Sequence, residues 1–502
     1  MPDSRFLLDA LQLLPLAGAA MLWRARGNPL AWLVGLTCGL GELALAIRLY
    51  LDFDPLQEGW QWAHRVELAG SWLVYTVGAD GVTVLFVLLT AFLTLVAILY
   101  GGLVRRFDPL PRYLAAVLAC EAVLMGQFVI LDLLWFLLLA LLHTLLIGHL
   151  LNQWSGGETE WPAIVRYYQF MATSILLLLA ATLMLGWHHA DVSGQGWRFE
   201  LEVLMGDHRT PYLQNILFFL LFYGLAIRLP IFPLHGWLPM VMEHGTVATA
   251  MVLMLGVKAG IYGMIRFLFP LFPDAVWQWH THAVAIAALG IFYSALLALV
   301  QQNLRKLLAF AVISHTGILI IGLFTLHHQA FQGSILLAAT FGLAISTLAL
   351  TAGMIHLRTR TLLLPRLGGL FTRLPLVGTA FLTAALSVVG MPLTPGFDAV
   401  HLLLEAAIDH QGALITVLAA LGNVAAAACL LWAFQRAFLA APGPNGVLIS
   451  AIPRASRPET AIAAALIAVQ LLSGFHADPW LDLVNRAALK LEKPFAQPDR
   501  KP

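Results

Sequence analysis

Long apolar runs fill almost the whole chain and are separated by short polar segments. A helix needs roughly 20 apolar residues to span a bilayer, and this length divides the chain into about fourteen predicted spans. The pattern therefore predicts an all-α polytopic membrane protein, with a short amphipathic helix after Trp480. The predicted spans are 6–24, 29–51, 78–104, 111–130, 132–152, 163–187, 212–242, 246–270, 280–302, 305–326, 331–356, 374–409, 412–438 and 459–475.

Two of the predicted spans are interrupted by proline and glycine. One contains Pro230 and Pro233 in the segment PIFPLHGWLP, and the other contains Pro392 and Pro395 in GMPLTPGF. Membrane proteins tolerate broken helices only where protein or a water-filled cavity satisfies the freed backbone groups. One break in each half, about 160 residues apart, is typical of transporters built from inverted repeats.

Basic residues cluster in alternate loops, and the loops between them carry mainly acidic residues. Because cytoplasmic loops are enriched in lysine and arginine, the basic loops are predicted to face the cytoplasm. With an even number of spans, both termini then lie outside the cytoplasm, in a multi-pass protein of the inner membrane. The basic residues are Arg24, Arg26, Arg105, Arg106, Arg112, Arg305, Lys306, Arg358, Arg360, Arg366, Arg373, Arg436, Arg454 and Arg457.

Composition excludes several other classes of protein. Of the 502 residues, 60% are hydrophobic and 11% are charged, whereas soluble domains carry about 25% charged residues. The net charge of +1 gives no basic bias for nucleic-acid binding. Cys38, Cys120 and Cys429 lack metal-ligand spacing, and no dinucleotide fingerprint occurs. The chain is therefore predicted to hold no cofactor or metal, and to be a translocase subunit at most.

Lys258 is the strongest candidate for function. It lies about a dozen residues into its predicted span, too deep for its side chain to reach the interface easily. Ionisable residues inside the bilayer are costly and are candidates for proton or ion pathways. A proton relay is one interpretation of Lys258, and a structural lysine paired with a carboxylate is the other.

The first half of the chain contains four further candidates, each with a structural alternative. Arg228 ends an apolar run before the first break, where it either acts inside the protein or reaches the headgroups. His235 and His143 are proton relays or hydrogen-bonded structural histidines. Glu121 lies well inside its span and needs a cationic partner, for which Lys258 or Arg228 would serve.

The second half contains a polar stripe and a histidine preceded by two basic residues. Asp398, His401 and Glu405 follow the second break at spacings of three and four, which places them on one helical face. They either line a wet path or mark the outer end of the helix. His315 is a candidate relay, with Lys306 as the entry of its path or as an ordinary anchor at the cytoplasmic end.

Three segments resemble the antiporter-like membrane subunits of respiratory complex I: RLPIFPLHGWLP, GVKAGIYGMIRFLFPLFPDA and NLRKLLAFAVISHTG. The M-type subunit is the most similar, and Mrp-type antiporters share the core. The resemblance implies fourteen helices, with helices 7 and 12 broken and two inverted five-helix repeats. The implied units are helices 1–3 in 1–110, the repeats in 111–270 and 280–438, and a last helix with an outer tail in 459–502.

The resemblance also implies roles for single residues. Lys258 corresponds to the central lysine of family helix 8, Arg228 takes the place of the helix 7 lysine, and His235 that of the following histidine. The usual carboxylate of helix 5 falls on Leu141, and the usual charge of helix 12 falls on Val400. Since arginine stays protonated, Arg228 is expected to supply a fixed field, with Glu121 as the buried counter-charge.

Three functional hypotheses follow. The leading one is a proton-conducting, antiporter-like subunit of an energy-converting complex, with other complex I-like subunits and the lipid bilayer as partners. The second is the membrane subunit of a DAB-type complex that accumulates inorganic carbon, whose partner would be a zinc-containing, carbonic-anhydrase-like protein. The third is a structural subunit that has kept the fold and lost conduction, for which the uncharged Leu141 and Val400 argue.

Overall fold

The computed structural model describes residues 6–25, 30–69, 73–105, 107–154, 161–245, 256–443 and 446–496. Eleven helices in these ranges are long and apolar enough to cross a membrane, which confirms the predicted helical membrane fold. The predicted number of about fourteen spans is not confirmed, because the interrupted helices divide into shorter pieces. Residues 246–255 of the predicted span 246–270 lie outside the described residues.

The N-terminal part contains four helices and a β-hairpin that the sequence analysis did not predict. The strands β1 and β2 pair antiparallel, with Val66 opposite Tyr75. This segment is too polar for a span, and its alternating pattern was overlooked. The elements are α1 (Leu7–Arg24), α2 (Ala31–Asp52), β1 (Gln61–Ala69), β2 (Leu73–Ala79), α3 (Gly81–Leu99) with a π-helical turn (Tyr100–Arg105), and α4 (Leu110–Val129).

The next part contains the first predicted break, between α8 and α9. The indole nitrogen of Trp237 donates a hydrogen bond to the carbonyl oxygen of Ile227, at 2.9 Å, and so satisfies a carbonyl at the end of α8. The elements are α5 (Leu133–Trp154), α6 (Trp161–Ser193), α7 (Leu201–Met205), α8 (Pro211–Arg228), α9 (Leu238–His244), α10 (256–263), a π-helical turn (Met264–Leu268) and α11 (Phe269–Leu271).

The last part contains the second predicted break, between α15 and α16. Gly390 ends α15 with a φ of +75°, a left-handed conformation that glycine adopts without steric cost. The elements are α12 (Pro273–Leu299), α13 (Leu304–Leu323), α14 (His328–Thr359), α15 (Pro375–Val389), α16 (Gly396–His410), α17 (Gly412–Phe434) with a π-helical turn (Gln435–Leu439), α18 (Arg457–Phe475) and α19 (Asp478–Glu492).

The helix α14 is the central element of the second half. Its apolar segment is buried along its whole length, and it packs against α3, α13, α15, α16, α18 and α19. The predicted amphipathic helix after Trp480 is present as α19. Its apolar residues Leu483, Val484, Ala488 and Leu491 are buried, because α19 packs on α3 and α14 rather than lying free on the surface.

Candidate functional site

Lys258 lies on α10 with only 2% of its surface exposed. Its Nζ atom is 4.7 Å from the centroid of the Phe341 ring on α14. The next residue of α14, Gly342, leaves room for the lysine: a Cβ atom there would lie 2.9 Å from Lys258 Cε. Within the described part of the chain, Lys258 forms no ion pair with a carboxylate. The alternative of an ion-paired structural lysine is therefore not supported.

His315, on α13, shares an aromatic neighbour with Lys258. Its ring stacks on Phe341, with the centroids 4.1 Å apart and the planes inclined by 19°. The imidazole is fully buried, and neither ring nitrogen has a hydrogen-bond partner among the described residues. Both titratable groups therefore contact the Phe341 ring, whose face attracts a cation. The sequence analysis did not identify Phe341.

Arg228, the last residue of α8, is buried and does not reach the headgroups. Its Nη1 donates to Thr144 Oγ1 at 3.2 Å, and its Nη2 donates to the carbonyl oxygen of Ala140 at 3.3 Å, both on α5. No carboxylate pairs with it over the described ranges. The guanidinium is therefore a positive charge held by neutral oxygen atoms, as expected from the loss of the usual glutamate.

The residue expected in place of the family's helix 5 glutamate does not face Arg228. Leu141, the residue given by an ungapped alignment, is 39% exposed on the outer side of α5. Ala140 and Thr144 face Arg228 instead. At the second break, Val400 is buried against Gly390, where a Cβ atom would lie 3.2 Å from the valine Cβ.

His143 lies on α5, the helix that also binds Arg228, and packs against α10. It is buried on α5, and its Nε2 atom has no hydrogen-bond partner among the residues described. Its ring lies against Gly256, two residues before Lys258, since a Cβ atom on that glycine would lie 2.2 Å from His143 Cε1. His143 thus packs on α10, the helix that carries Lys258, and the charge of Arg228 reaches its ring. Together with Lys258 and His315, these buried side chains are the buried region of the protein.

His235 and Lys306 lie at the edges of this region. His235 is buried within the first break and packs against the rings of Phe232 and Tyr293, at centroid distances of 5.8 Å and 5.4 Å. Lys306 is partly exposed at the start of α13, and its Nζ is 2.7 Å from Glu243 Oε2. The sequence analysis did not identify Glu243 as its partner.

The predicted polar stripe of α16 does not face the buried region. The side chains of His401 and Glu405 are 67% and 52% exposed, and their Nε2 and Oε2 atoms are 3.9 Å apart. Asp398 is partly exposed. The inward side of α16 is apolar and includes Val400 and Leu403. The expectation of an internal relay is wrong for these three side chains, because the helix restarts after the break with its polar side turned outward.

Glu121 is also placed differently from the prediction. It is buried on α4, but it forms no ion pair with Lys258 or Arg228 within the described ranges. The charged group that acts on it is Glu42 of α2. The role of counter-charge is therefore not supported, although α4 packs against α5, which binds Arg228, as well as against α1, α2 and α3. Glu42 was missed, although a lone carboxylate in the middle of an apolar run is a detectable signal.

Arg266 forms a second buried cluster that the sequence analysis did not assign. Its guanidinium forms two hydrogen bonds of 2.8 Å to Asp80, at the start of α3. Its Nε donates to Tyr262 at 3.0 Å. The indole of Trp60 lies 4.5 Å from Arg266 Cζ and 4.4 Å from Lys490 Nζ of α19. This cluster ties the end of α10 to the N-terminal helices and to α19.

No group of three or more histidine, cysteine, aspartate or glutamate side chains that could hold a metal ion occurs among the residues that the structure describes.

Comparisons with known proteins agree with the fold and the broken helices. The chain is 30% identical to NADH-quinone oxidoreductase subunit M of Rhodobacter capsulatus, over 97% of this chain and 96% of the relative. It is 30% identical to NADH-ubiquinone oxidoreductase chain 4 of Triticum aestivum, over 86% of each chain.

Solved structures show the same likeness. A chain of respiratory complex I from Thermus thermophilus superposes with a TM-score of 0.87 at 26% identity, covering 98% of this chain and 100% of that one. A chain of the Mrp complex from Dietzia sp. DQ12-45-1b has the same fold, with a TM-score of 0.87 at 21% identity and 98% of each chain covered. A family model for the transmembrane region of NADH:quinone oxidoreductase and Mrp antiporters matches residues 131–425. The chain therefore belongs to the NADH:quinone oxidoreductase/Mrp antiporter transmembrane family.

Proposed function

We propose that this chain is a proton-translocating, antiporter-like subunit of a complex I-like membrane complex, and that Lys258 is the group that binds and releases the proton. The observation that carries the proposal is an ammonium group buried between helices with no carboxylate partner among the described residues. An unpaired buried charge is costly, so a lysine in such a place is suited to gaining and losing a proton.

The first break supports this role for Lys258. Gly260, two residues further along α10, packs against Leu229 at the point where α8 ends, since a Cβ atom there would lie 3.1 Å from Leu229 Cβ. Broken helices in membranes line cavities or binding sites at the middle of the bilayer. The helix that carries Lys258 thus packs against the irregular backbone of the first break.

Arg228 acts in the proposal as a fixed positive charge. Because a like charge disfavours the protonated form of a neighbouring group, Arg228 would act on His143, a titratable side chain that its charge reaches. His143 would carry protons on the first-half side. His315, which contacts the same phenyl ring as Lys258, would carry them on the second-half side. His235 would connect the first break with this path.

The proposal also covers orientation and partners. The Arg-rich loops would face the cytoplasm, with Lys306 and Glu243 at that end of the path and both termini outside. The division into 1–110, 111–270, 280–438 and 459–502 is supported by one broken helix in each proposed repeat. The relatives' names refer to respiratory complex I and Mrp complexes, so other membrane subunits are the proposed partners. A zinc hydratase partner has no support from the relatives and stays a prediction.

The test is proton flux into liposomes that contain the intact complex. We expect Lys258→Met to lower the flux at least tenfold, because methionine has a similar shape and no titratable group. Lys258→Arg is expected to lower the proton flux as well, because arginine does not release its proton. The matched control is Lys493→Met, an exposed lysine after α19, which should leave the flux unchanged.

Assembly is checked by the subunits that co-purify with each variant. Full flux through a normally assembled Lys258→Met variant would remove the central claim. Absence of flux in the wild-type complex would favour the structural subunit instead.

A further inference from the structure

Two buried glutamates of the N-terminal helices lie outside the region of Lys258. Glu42, on α2, is 0% exposed, and Glu121, on α4, is 1% exposed. None of the four carboxylate oxygens has a hydrogen-bond partner within the described residues. Neither glutamate takes part in an ion pair there. A buried carboxylate normally accepts hydrogen bonds and pairs with a cation, so the absence of such partners among the described residues needs a physical explanation.

The packing of α2 on α4 places these two side chains together. A Cβ atom on Gly35 would meet Leu114, and one on Gly18 of α1 would meet both Cys38 and Leu118. Gly35 and Leu114 are thus at one level of the packing, and Cys38 and Leu118 are at the next, so α2 and α4 run in the same direction. One further helical turn, of about four residues, leads from Cys38 to Glu42 and from Leu118 to Glu121. The two carboxyl groups are close enough for their charges to interact.

Two ionised carboxylates are unstable in this place. Two like charges repel strongly in a protein interior, and no ion pair with a described cation offsets the repulsion. Two carboxyl groups that share one site titrate as a pair and retain a proton. The site can therefore hold two neutral acids, or one acid and one carboxylate joined by the remaining proton.

Among the described residues of the neighbouring helices, Arg24, Arg48 and Arg112 are exposed, and none forms an ion pair with either glutamate. Cys38, on α2, is the thiol whose surroundings include both glutamates, and the hydroxyl group of Thr94, on α3, faces Glu121. The other titratable groups nearby have positions of their own. Asp9 of α1 pairs with His64, and Tyr113 of α4 donates a hydrogen bond to the carbonyl oxygen of Ala97. His143 of α5 lies against Gly256. Tyr100 is buried on the π-helical turn, and Cys120 is buried on α4.

We propose that Glu42 and Glu121 form a second protonation site of this protein, in which the two carboxyl groups together hold at least one proton at neutral pH. The site lies where the N-terminal helices meet the first proposed repeat. Uptake or release of one proton changes the charge buried between α2 and α4. Loss of the last proton creates repulsion that pushes these two helices apart, so protonation of the pair stabilises their packing.

The test is infrared difference spectroscopy of the full-length protein during a pH titration. The carbonyl stretch of a protonated carboxylic acid reports directly on the site, and this measurement does not depend on proton flux or on Lys258. We expect the signal at neutral pH in the wild type and its loss in the double variant Glu42→Gln with Glu121→Gln. Glutamine has the size of glutamate and carries no charge, so the double variant should fold.

The single variants decide whether the two carboxyl groups act together. Glu42→Gln should move the titration of Glu121 to lower pH by about one unit or more, since it removes the repelling neighbour, and Glu121→Gln should do the same for Glu42. The control Glu58→Gln changes an exposed glutamate of the α2–β1 loop and should leave the signal unchanged. Persistence of the signal in the double variant, or independent titration of the two groups, would overturn the proposal.

Discussion

At the scale of single residues, the charges of the buried region are held by neutral groups. Arg228 has oxygen ligands from Thr144 and Ala140, and Lys258 and His315 contact the Phe341 ring. A carboxylate would hold the charge of Lys258 in one state, whereas neutral partners allow it to change. Removal of one of these neutral hydrogen-bond partners should therefore lower the stability of the folded protein.

The variant Thr144→Val tests this cost. It replaces the hydroxyl group that accepts the hydrogen bond of Arg228 Nη1 and leaves a buried donor unsatisfied, which should destabilise the protein by about 1–3 kcal/mol. The matched control is Thr182→Val. That threonine is also buried and bonds the carbonyl of the preceding turn, Leu178, but no charged group uses its hydroxyl. Thermal unfolding in detergent measures both, and equal losses for the two variants would contradict the role of Thr144.

At the scale of elements, α19 is attached to the membrane helices by close backbone contact. Gly81, the first residue of α3, has no side chain, and a Cβ atom there would lie 1.7 Å from the carbonyl oxygen of Leu483. Backbone cannot move aside as the end of a side chain can, so the two helices fit only with glycine at this position. The cluster of Arg266, Asp80 and Trp60 holds the same junction from the other side.

We expect Gly81→Ala to displace α19 from α3. The last segment of the chain should then be cut faster by a protease, and the unfolding temperature should fall by several degrees, as for a loss of about 1–3 kcal/mol. Gly206→Ala is the control, because the added Cβ atom would lie 3.4 Å from its nearest neighbour, an ordinary contact. Unchanged proteolysis in Gly81→Ala would show that α19 is held by other contacts.

At the scale of the whole molecule, the β-hairpin is joined to the segment that precedes α7. Glu200 accepts hydrogen bonds of 2.6 Å from Arg65 of β1 and from Arg198. Burial of Glu200 raises the pKa of its carboxyl group, but the hydrogen bonds from Arg198 and Arg65 outweigh burial and hold the pKa below its ordinary value near 4.5. The carboxylate form is therefore favoured by folding.

This shift predicts the direction of a pH effect. A carboxyl group with a lowered pKa in the folded state stabilises the protein above its ordinary pKa, and the contribution is lost as the pH falls through the folded value. We expect the unfolding temperature to fall between about pH 5 and pH 3, and to fall less in Glu200→Gln. Glu67→Gln, at an exposed partner of Arg65, should keep the wild-type dependence. Identical profiles for wild type and Glu200→Gln would contradict this link.

The pattern of residues along the chain was enough to predict the helical segments and the two helix breaks. Runs of apolar residues and the prolines 230, 233, 392 and 395 suffice for this, because hydrocarbon excludes unpaired backbone. The same pattern predicted that Lys258 is buried, because the apolar run around this lysine is not interrupted by other polar residues. Membership of the family could be predicted for the same reason, from three continuous segments around the first break.

Which face of each helix points inward could not be predicted from the sequence and follows from the packing of the folded chain. Lipid is as apolar as a helix interface, so hydrophobicity does not separate the two sides of a spanning helix. The outward position of His401 and Glu405, the inward position of Val400 and the meeting of Glu42 with Glu121 therefore depend on how the helices rotate and pack. Contacts between distant helices set that rotation, and no pattern within a single span records it.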